Sequence, residues 1–229
     1  MTQPTADGIV FVDCHGEIAH DGHTHEKPKR QVVIGGEKVK VVDIHAHCAI
    51  PKALELMGKP PLGGPGMRPD LDMTSALDLR LATMDAQAID IEALSINPNW
   101  YQVDDRDQAA EIIQVQNEAL AEACATPPDR FVAFASVALQ FPDLAAQQLE
   151  EGVRKYGLKG AGVGGNVAGE ELADPKFHPF WQKAEELGVL IFIHPQADGA
   201  PTQLGHRFKG NGYLSTVIGN PLETTIALA

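Results

Sequence analysis

Short apolar segments alternate along the chain with longer segments in which apolar residues recur every three or four positions. The short segments predict five strands, which we number one to five: Val39–Ala46, Ile91–Ile96, Arg130–Val137, Leu158–Val163 and Val189–His194. The long segments predict four intervening helices, at Thr74–Gln87, Asp105–Ala125, Pro142–Tyr156 and Phe177–Leu187. A further helix is predicted near the end of the chain, with Asn220 as its N-cap and Pro221 in its first position.

This alternation predicts βα units and therefore an α/β fold with a parallel sheet. The predicted strands are apolar on both faces, as expected for parallel strands that are covered by helices. An open doubly wound sheet and a (β/α)8 barrel both fit the pattern. A G-x-G-x-x-G turn does not follow strand one, which counts against a dinucleotide-binding sheet.

The N-terminal segment differs from the remainder of the chain. Polar and apolar residues alternate from Arg30 to Val42 around Gly35 and Gly36, which predicts a β-hairpin. We therefore predict a β-rich extension over residues 1–38 and a barrel-type domain over residues 39–229. The extension also contains several histidines whose spacing matches no zinc template, so we interpret it as solvated.

Composition excludes several classes of partner. The formal net charge of -13 would repel a phosphate backbone, which argues against nucleic acid. The three cysteines, Cys14, Cys48 and Cys124, form no CxxC pair, so a reducing cytoplasm is the expected location. The N-terminus lacks the pattern of a signal peptide, and no apolar stretch approaches the roughly 18 residues needed to span a bilayer.

The strongest chemical signal is the pair His45 and His47 near the end of strand one. Residues two apart on a strand place their side chains on the same face, so both imidazoles could bind one divalent cation. Two half-exposed histidines at a strand end are the alternative interpretation. In a barrel, the C-terminal ends of the strands form the active site.

His194 ends strand five after a run of five apolar residues. An unpaired buried imidazole is costly, and a hydrogen-bonded core histidine is one way to avoid that cost. The simplest account of all three side chains is that His194 is a third ligand of the ion bound by His45 and His47. Three protein ligands and a water are typical of a catalytic metal site. Imidazoles suit Zn²⁺ best, with Mn²⁺ or Fe²⁺ as alternatives if carboxylates join them.

These features resemble the amidohydrolase superfamily, in which such histidines end strands one and five. Three longer segments are similar to the branch that contains aminocarboxymuconate-semialdehyde decarboxylase and the hydroxybenzoate decarboxylases: Asp129–Val137, Asp174–Trp181 and Gly219–Ala227. The resemblance covers roughly residues 40 to 229. It implies a (β/α)8 TIM barrel, present here only through strand five and the start of the next helix.

The resemblance also implies that a strand-eight Asp completes the metal site and that a strand-six His assists the metal-bound water. Both strands would lie beyond Ala229, so the catalytic residues are unknown. We expect either a fragment of a longer polypeptide or a truncated gene product. Because an open sheet exposes a strand edge and members of the family are often oligomers, we also expect a homo-oligomer.

The implied reaction is the non-oxidative decarboxylation of a small, anionic aromatic or unsaturated carboxylic acid. After strand two, Asn97, Trp100 and Tyr101 are candidate substrate contacts, since aromatic rings can stack on a planar substrate. Arg207, in the loop after strand five, could bind a carboxylate. The alternatives are that the aromatic pair only covers the barrel mouth and that Arg207 is an exposed loop residue.

Two other functions stay open. The same ligands could support hydrolysis of an amide, lactone or ester, because fold does not determine reaction. The strand-four lysine that would bridge two metal ions is not visible, since Lys159 precedes that strand. The second alternative is a truncated, inactive metal-binding subunit. If the domain is complete, the resemblance implies a metal-dependent carboxy-lyase.

Overall fold

The computed structural model describes residues 10–12, 31–59, 76–96, 103–125, 129–196 and 214–229. The strands in these ranges are β1 (Val10–Val12), β2 (Val32–Ile34), β3 (Glu37–Val39), β4 (Val42–Ala49), β5 (Ile91–Ile96), β6 (Phe131–Ala133), β7 (Gly160–Gly164), β8 (Asn166–Val167), β9 (Glu170–Glu171) and β10 (Leu190–His194). The helices are α1 (Pro51–Leu56), α2 (Ala76–Gln87), α3 (Arg106–Ala125), α4 (Pro142–Arg154), α5 (His178–Leu187) and α6 (Asn220–Ala227). The chain divides into two compact units, Met1–Asn97 with Ala119–Ala133 and Pro98–Glu118 with Phe134–Ala229.

The first unit contains a four-stranded sheet in the order β1-β4-β5-β6. The strands β4, β5 and β6 are parallel, whereas β1 pairs with the outer edge of β4 in antiparallel orientation. A separate hairpin joins β2 to β3, and Gly35 and Gly36 adopt φ angles of 62° and 90° in its turn. These positive φ angles are the reason that glycine occupies the turn, and the predicted hairpin is confirmed.

The second unit contains the parallel pair β7 and β10, with α4 and α5 packed on one another. Its core is a continuous cluster of buried apolar side chains that includes Leu149, Val163, Phe177 and Phe180. Gly188 ends α5 in the left-handed conformation, with a φ of 62°, where the sequence predicted the helix to stop. This packing holds β7 and β10 so that their C-terminal ends lie side by side.

The five predicted strands and four predicted helices all occur in the structure, with shifts at their ends. The strand Ile91–Ile96 is confirmed at both ends. The predicted helix start at Thr74 lies outside the described residues, within which α2 runs from Ala76 to Gln87. The predicted strand Arg130–Val137 is shorter, since β6 ends at Ala133 and Ala135 then forms only an isolated parallel bridge with Ala161. At Ser136 the backbone bonds to the side-chain amide of Asn117. Asn117 Oδ1 accepts from the Ser136 N–H at 2.8 Å, and Asn117 Nδ2 donates to the Ser136 carbonyl at 3.0 Å.

Two predictions were wrong in detail. Asn220 is not an N-cap, because a π-helical turn at Ser215–Gly219 precedes it and Gly219 is already helical, with φ of −62° and ψ of −48°. Burial on both faces holds for most of β5 but not for Val42, Ile44 and Leu190, whose exposed fractions are 48%, 57% and 55%. Within the described ranges, no element covers these three side chains. None of the helices there combines the length and the apolar character needed to traverse a bilayer.

Candidate metal centre

His45 and His47 lie on the same face of β4, as the spacing predicts. Their Nε2 atoms are 2.8 Å apart, and their rings meet edge to face with centroids 4.7 Å apart. His47 is buried, whereas His45 is exposed. Burial begins at Ala46 and continues to the end of the strand, so the pair lies at the boundary between solvent and core.

Ser95 on β5 determines which nitrogen of His47 carries the proton. The two residues are register partners, and the Ser95 Oγ lies 3.2 Å from Nδ1 of His47. The Ser95 hydroxyl donates its single proton to the Ala46 carbonyl at 3.5 Å, so its oxygen accepts from Nδ1–H. The lone pair of His47 is therefore on Nε2, the nitrogen that faces His45.

The geometry of this pair fits a divalent metal ion. Two nitrogen ligands that each lie about 2.1 Å from one ion stand roughly 3 Å apart in adjacent coordination positions. The Nε2 atoms of His45 and His47 are separated by 2.8 Å, which is close to this spacing. Neutral imidazoles are donors that suit Zn²⁺ best, and Mn²⁺ or Fe²⁺ become alternatives when carboxylates join them.

His194 lies in the second unit at the last position of β10, where it is partly buried. Its Nδ1 is 2.7 Å from the carbonyl oxygen of Pro195. A carbonyl can only accept, so Nδ1 carries the proton and the lone pair is on Nε2. The protonation pattern of His194 is thus the same as that of His47.

A buried carboxylate lies beside this end of β10. Glu223 on α6 is 2% exposed, and it accepts from the backbone N–H of Gln196 and the side-chain amide of Asn166. Burial raises the pKa of the Glu223 carboxyl, and the hydrogen bonds from Gln196 and Asn166 oppose that rise. Neither Glu223 nor Ser95 is among the site residues that the sequence predicts.

The predicted substrate contacts Asn97, Trp100, Tyr101 and Arg207 lie outside the described residues. In the structure, a Cβ atom at Gly165 would lie 2.8 Å from Glu223 Oε1, so glycine is required there for close approach to that carboxylate.

A family model described as amidohydrolase matches residues 12–209 of the chain. The chain belongs to the amidohydrolase family. Two relatives fall within the branch that the sequence motifs resemble, and that resemblance is confirmed. This amidohydrolase is 40% identical to γ-resorcylate decarboxylase of Rhizobium radiobacter over 144 residues, which are 56% of this chain and 44% of that protein. It is 29% identical to 2-amino-3-carboxymuconate-6-semialdehyde decarboxylase of Dictyostelium discoideum over 155 residues, which are 66% of this chain and 41% of that protein.

The amidohydrolase also resembles a solved structure of a dihydroxybenzoic acid decarboxylase from Polaromonas sp. JS666, which holds manganese and the inhibitor 2-nitroresorcinol. The TM-score is 0.64 at 26% identity, over 82% of this chain and 57% of that chain. The neighbouring structures have the TIM-barrel fold. The chain spans less than half of the length of the curated relatives described above.

One further residue bears on the type of amidohydrolase. Lys159 is exposed and directly precedes β7, whose C-terminal end lies at Gly164. A lysine that bridges two metal ions would have to reach the opposite end of this strand. Its position is as the sequence indicated, and it gives no support to a carbamylated, two-metal hydrolase.

Proposed function

We propose that this chain belongs to a metal-dependent decarboxylase that removes CO₂ non-oxidatively from a small aromatic carboxylic acid. The single observation that carries the proposal is the pair of imidazoles on β4, whose Nε2 atoms lie 2.8 Å apart on one strand face. The decarboxylases of resorcylate and aminocarboxymuconate semialdehyde among its relatives favour this reaction over hydrolysis.

We propose His45, His47 and His194 as ligands of one divalent ion. The support within each unit is that His45 and His47 share one face of β4 and that His194 is the last residue of β10, as the sequence predicts. The preference for Zn²⁺ remains a prediction from the ligand type, and the manganese held by the Polaromonas enzyme makes Mn²⁺ the other ion to test.

In this mechanism the bound cation supplies positive charge that neutralises and orients the substrate oxygens. The residues of the chain keep the ligand nitrogens in the form that can bind it. Ser95 accepts from Nδ1–H of His47, and the Pro195 carbonyl accepts from Nδ1–H of His194. Both contacts keep a proton on Nδ1, which leaves Nε2 as the donor atom.

We assign the substrate contacts to the residues that the sequence indicated. Trp100 and Tyr101 would stack on the planar ring, Asn97 would hydrogen-bond a ring substituent, and Arg207 would bind the carboxylate. A cation in a protein of net charge -13 would provide the local positive potential that an anionic substrate requires.

The domain organisation is part of the same proposal. We assign β4, β5, β6, β7 and β10 as the first five strands of a (β/α)8 barrel domain over residues 39–229, preceded by an extension over residues 1–38. Association into homo-oligomers remains an expectation. We also propose a cytoplasmic location, because Cys48 and Cys124 are both free thiols.

The test is to load the purified chain separately with Mn²⁺ and Zn²⁺ and to measure CO₂ release from dihydroxybenzoates. Lactone hydrolysis is measured in parallel. We expect metal-dependent CO₂ release, and we expect His47→Ala and His194→Ala to lose both metal and activity. Lys159→Ala, a change at an exposed residue away from the proposed ligands, is the control and should behave as wild type.

Each contrary result points to a different function. Hydrolysis without CO₂ release would replace the decarboxylase with a hydrolase of the same family. Tight metal binding without turnover of either substrate would indicate a metal-binding subunit. Retention of metal by His47→Ala or His194→Ala would remove that residue from the ligand set.

A further inference from the structure

The carboxylate of Glu223 is buried but its hydrogen-bond partners in the described residues are neutral amides. The N–H of Gln196 donates to both carboxylate oxygens at 3.0 Å, and Nδ2 of Asn166 donates to Oε1 at 3.0 Å. A buried carboxylate is costly unless such bonds are made. Hydrogen bonds to an ionised acceptor are also stronger than those between neutral groups. The N–H of Gln196 is therefore held firmly in one direction.

This N–H belongs to the peptide group that joins Pro195 to Gln196. The carbonyl of the same peptide group accepts from Nδ1–H of His194 at 2.7 Å. A peptide group is planar, and its N–H and C=O point in opposite directions when it is trans. By fixing the N–H, the carboxylate therefore also fixes the direction of the carbonyl that bonds to His194.

The surrounding backbone is shaped to allow this contact. A Cβ atom at Gly165 would lie 2.8 Å from Oε1 of Glu223, and one at Gly164 would lie 1.7 Å from Nε2 of Gln196. The Gly165 N–H donates to the His194 carbonyl at 3.0 Å, and Gln196 Nε2 donates to the Asn166 carbonyl at 3.0 Å. The three residues from His194 to Gln196 are thus anchored at both ends.

We propose that Glu223 is a positioning residue for His194. Its carboxylate acts through the Pro195–Gln196 peptide group to keep the proton of His194 on Nδ1 and the lone pair on Nε2. The arrangement is a carboxylate–histidine pair of the kind that supports metal ligands, with one peptide group inserted between the two side chains. The carboxylate also polarises the peptide group, which makes its carbonyl a better acceptor. The consequence for metal affinity rests on the proposed function, whereas the tautomer of His194 does not.

The first experiment measures Mn²⁺ affinity by electron paramagnetic resonance of free Mn²⁺ in titrations of the full chain. We expect Glu223→Leu to weaken Mn²⁺ binding by about 10- to 100-fold. Glu223→Gln keeps an oxygen that can accept from the Gln196 N–H, so we expect its affinity to stay within about threefold of wild type. Leucine fills a similar volume but offers no acceptor, so weak binding in Glu223→Leu with near wild-type binding in Glu223→Gln would not follow from packing alone.

The second experiment reads the His194 tautomer by NMR of protein labelled with ¹⁵N-histidine, in the absence of metal. We expect the Nδ1–H form in wild type and in Glu223→Gln, and a mixture of tautomers in Glu223→Leu. His194→Ala assigns the resonances. An unchanged tautomer in Glu223→Leu, together with wild-type Mn²⁺ affinity, would overturn the proposal.

Two further variants keep these outcomes interpretable. Leu149→Ala removes a side chain from the core of the second unit, so it should lower the free energy of unfolding without changing Mn²⁺ affinity. If Glu223→Leu does not fold, Glu223→Asp retracts the carboxylate by one methylene, and wild-type affinity and tautomer in that variant would equally reject the role. Retention of Mn²⁺ by His194→Ala would overturn only the assignment of His194 as a ligand. The tautomer measurement would then decide whether Glu223 positions His194.

Discussion

Ser95 and His47 form one hydrogen-bonded unit across two neighbouring strands. Ser95→Ala would remove the acceptor for Nδ1–H of His47, so we expect Mn²⁺ affinity to fall by about 10-fold. Isothermal titration with Mn²⁺ measures the change. Ser95→Thr retains a hydroxyl at this buried strand position and should retain most of the affinity. Equal affinity in Ser95→Ala and wild type would mean that the hydroxyl has no part in the orientation of His47.

Glu92 gives the first unit a pH-dependent stability. It is 3% exposed and forms a 2.7 Å ion pair with Arg80, yet burial outweighs the ion pair and raises the pKa of its carboxyl above the ordinary 4.5. A raised pKa in the folded state means that the folded protein holds this proton more tightly than the unfolded chain. The protonated Glu92 carboxyl therefore adds to the free energy of unfolding below pH 4.5, and this contribution is lost as the pH rises through the folded-state pKa of Glu92.

We therefore expect Glu92→Gln to gain stability relative to wild type as the pH rises from about 4.5 through the folded-state pKa. Any loss of the contact with Arg80 changes the free energy of unfolding by an amount that does not vary with pH, because arginine stays protonated. Urea unfolding of both proteins at a series of pH values measures this difference. A difference that is constant with pH would show that Glu92 titrates as it does in the unfolded chain.

Residues of the site differ in how far the sequence reveals them. The sequence alone leads to the proposal of His45, His47 and His194 as ligands, because each histidine lies within or at the end of a strand segment that can be recognised from its apolar residues. Ser95 and Glu223 could not be predicted, because each acts through hydrogen bonds to residues distant in the chain: 48 positions separate Ser95 from His47, and 27 separate Glu223 from Gln196. Such a contact leaves no periodic pattern in the sequence.

At the level of elements, Gly160 is required for the pairing of β7 with β10. It has a φ of 142°, and a Cβ atom there would lie 1.8 Å from the carbonyl oxygen of Leu190. We expect Gly160→Ala to lower the free energy of unfolding by at least about 3 kcal/mol, since both the backbone strain and the displacement of a paired strand are unfavourable.

Gly157→Ala is the matched control for this prediction. Gly157 also has a positive φ, of 70°, but a Cβ atom there meets nothing within 4 Å. Gly157→Ala should therefore lower the free energy of unfolding by only about 1–2 kcal/mol, because only the left-handed conformation is unfavourable there. Denaturant unfolding measures both values, and equal losses would show that the close approach to Leu190 is unimportant.

The order of the elements could be predicted because helical and strand periodicities differ strongly. Their ends were less predictable where a tertiary contact replaces a local signal. The strand after Arg130 is continuous only to Ala133, and at Ser136 the backbone hydrogen bonds are made with the Asn117 side chain. Asn220 has the sequence of an N-cap, but the chain before it is already helical, so no cap is formed.

At the level of the whole molecule, we expect bound metal to contribute to folding stability. A ligand that binds only the folded protein adds about 2.7 kcal/mol at a concentration 100 times its Kd. Urea unfolding with and without Mn²⁺ should show this increment in wild type but not in His47→Ala. His178→Ala, a change at an exposed histidine on α5, should keep the full increment. An equal increment in His47→Ala would place the ion elsewhere.

The antiparallel pairing of β1 has a consequence for any barrel built around this sheet. At His47 and Cys48, β1 occupies one edge of β4 while β5 occupies the other. A closed barrel gives its first strand a parallel neighbour on each side. A closing strand must therefore compete with Val10–Val12 for the backbone N–H and C=O groups on this edge of β4. Exchange of one strand for the other would decide whether the N-terminal segment or the closing strand lies next to the histidine pair.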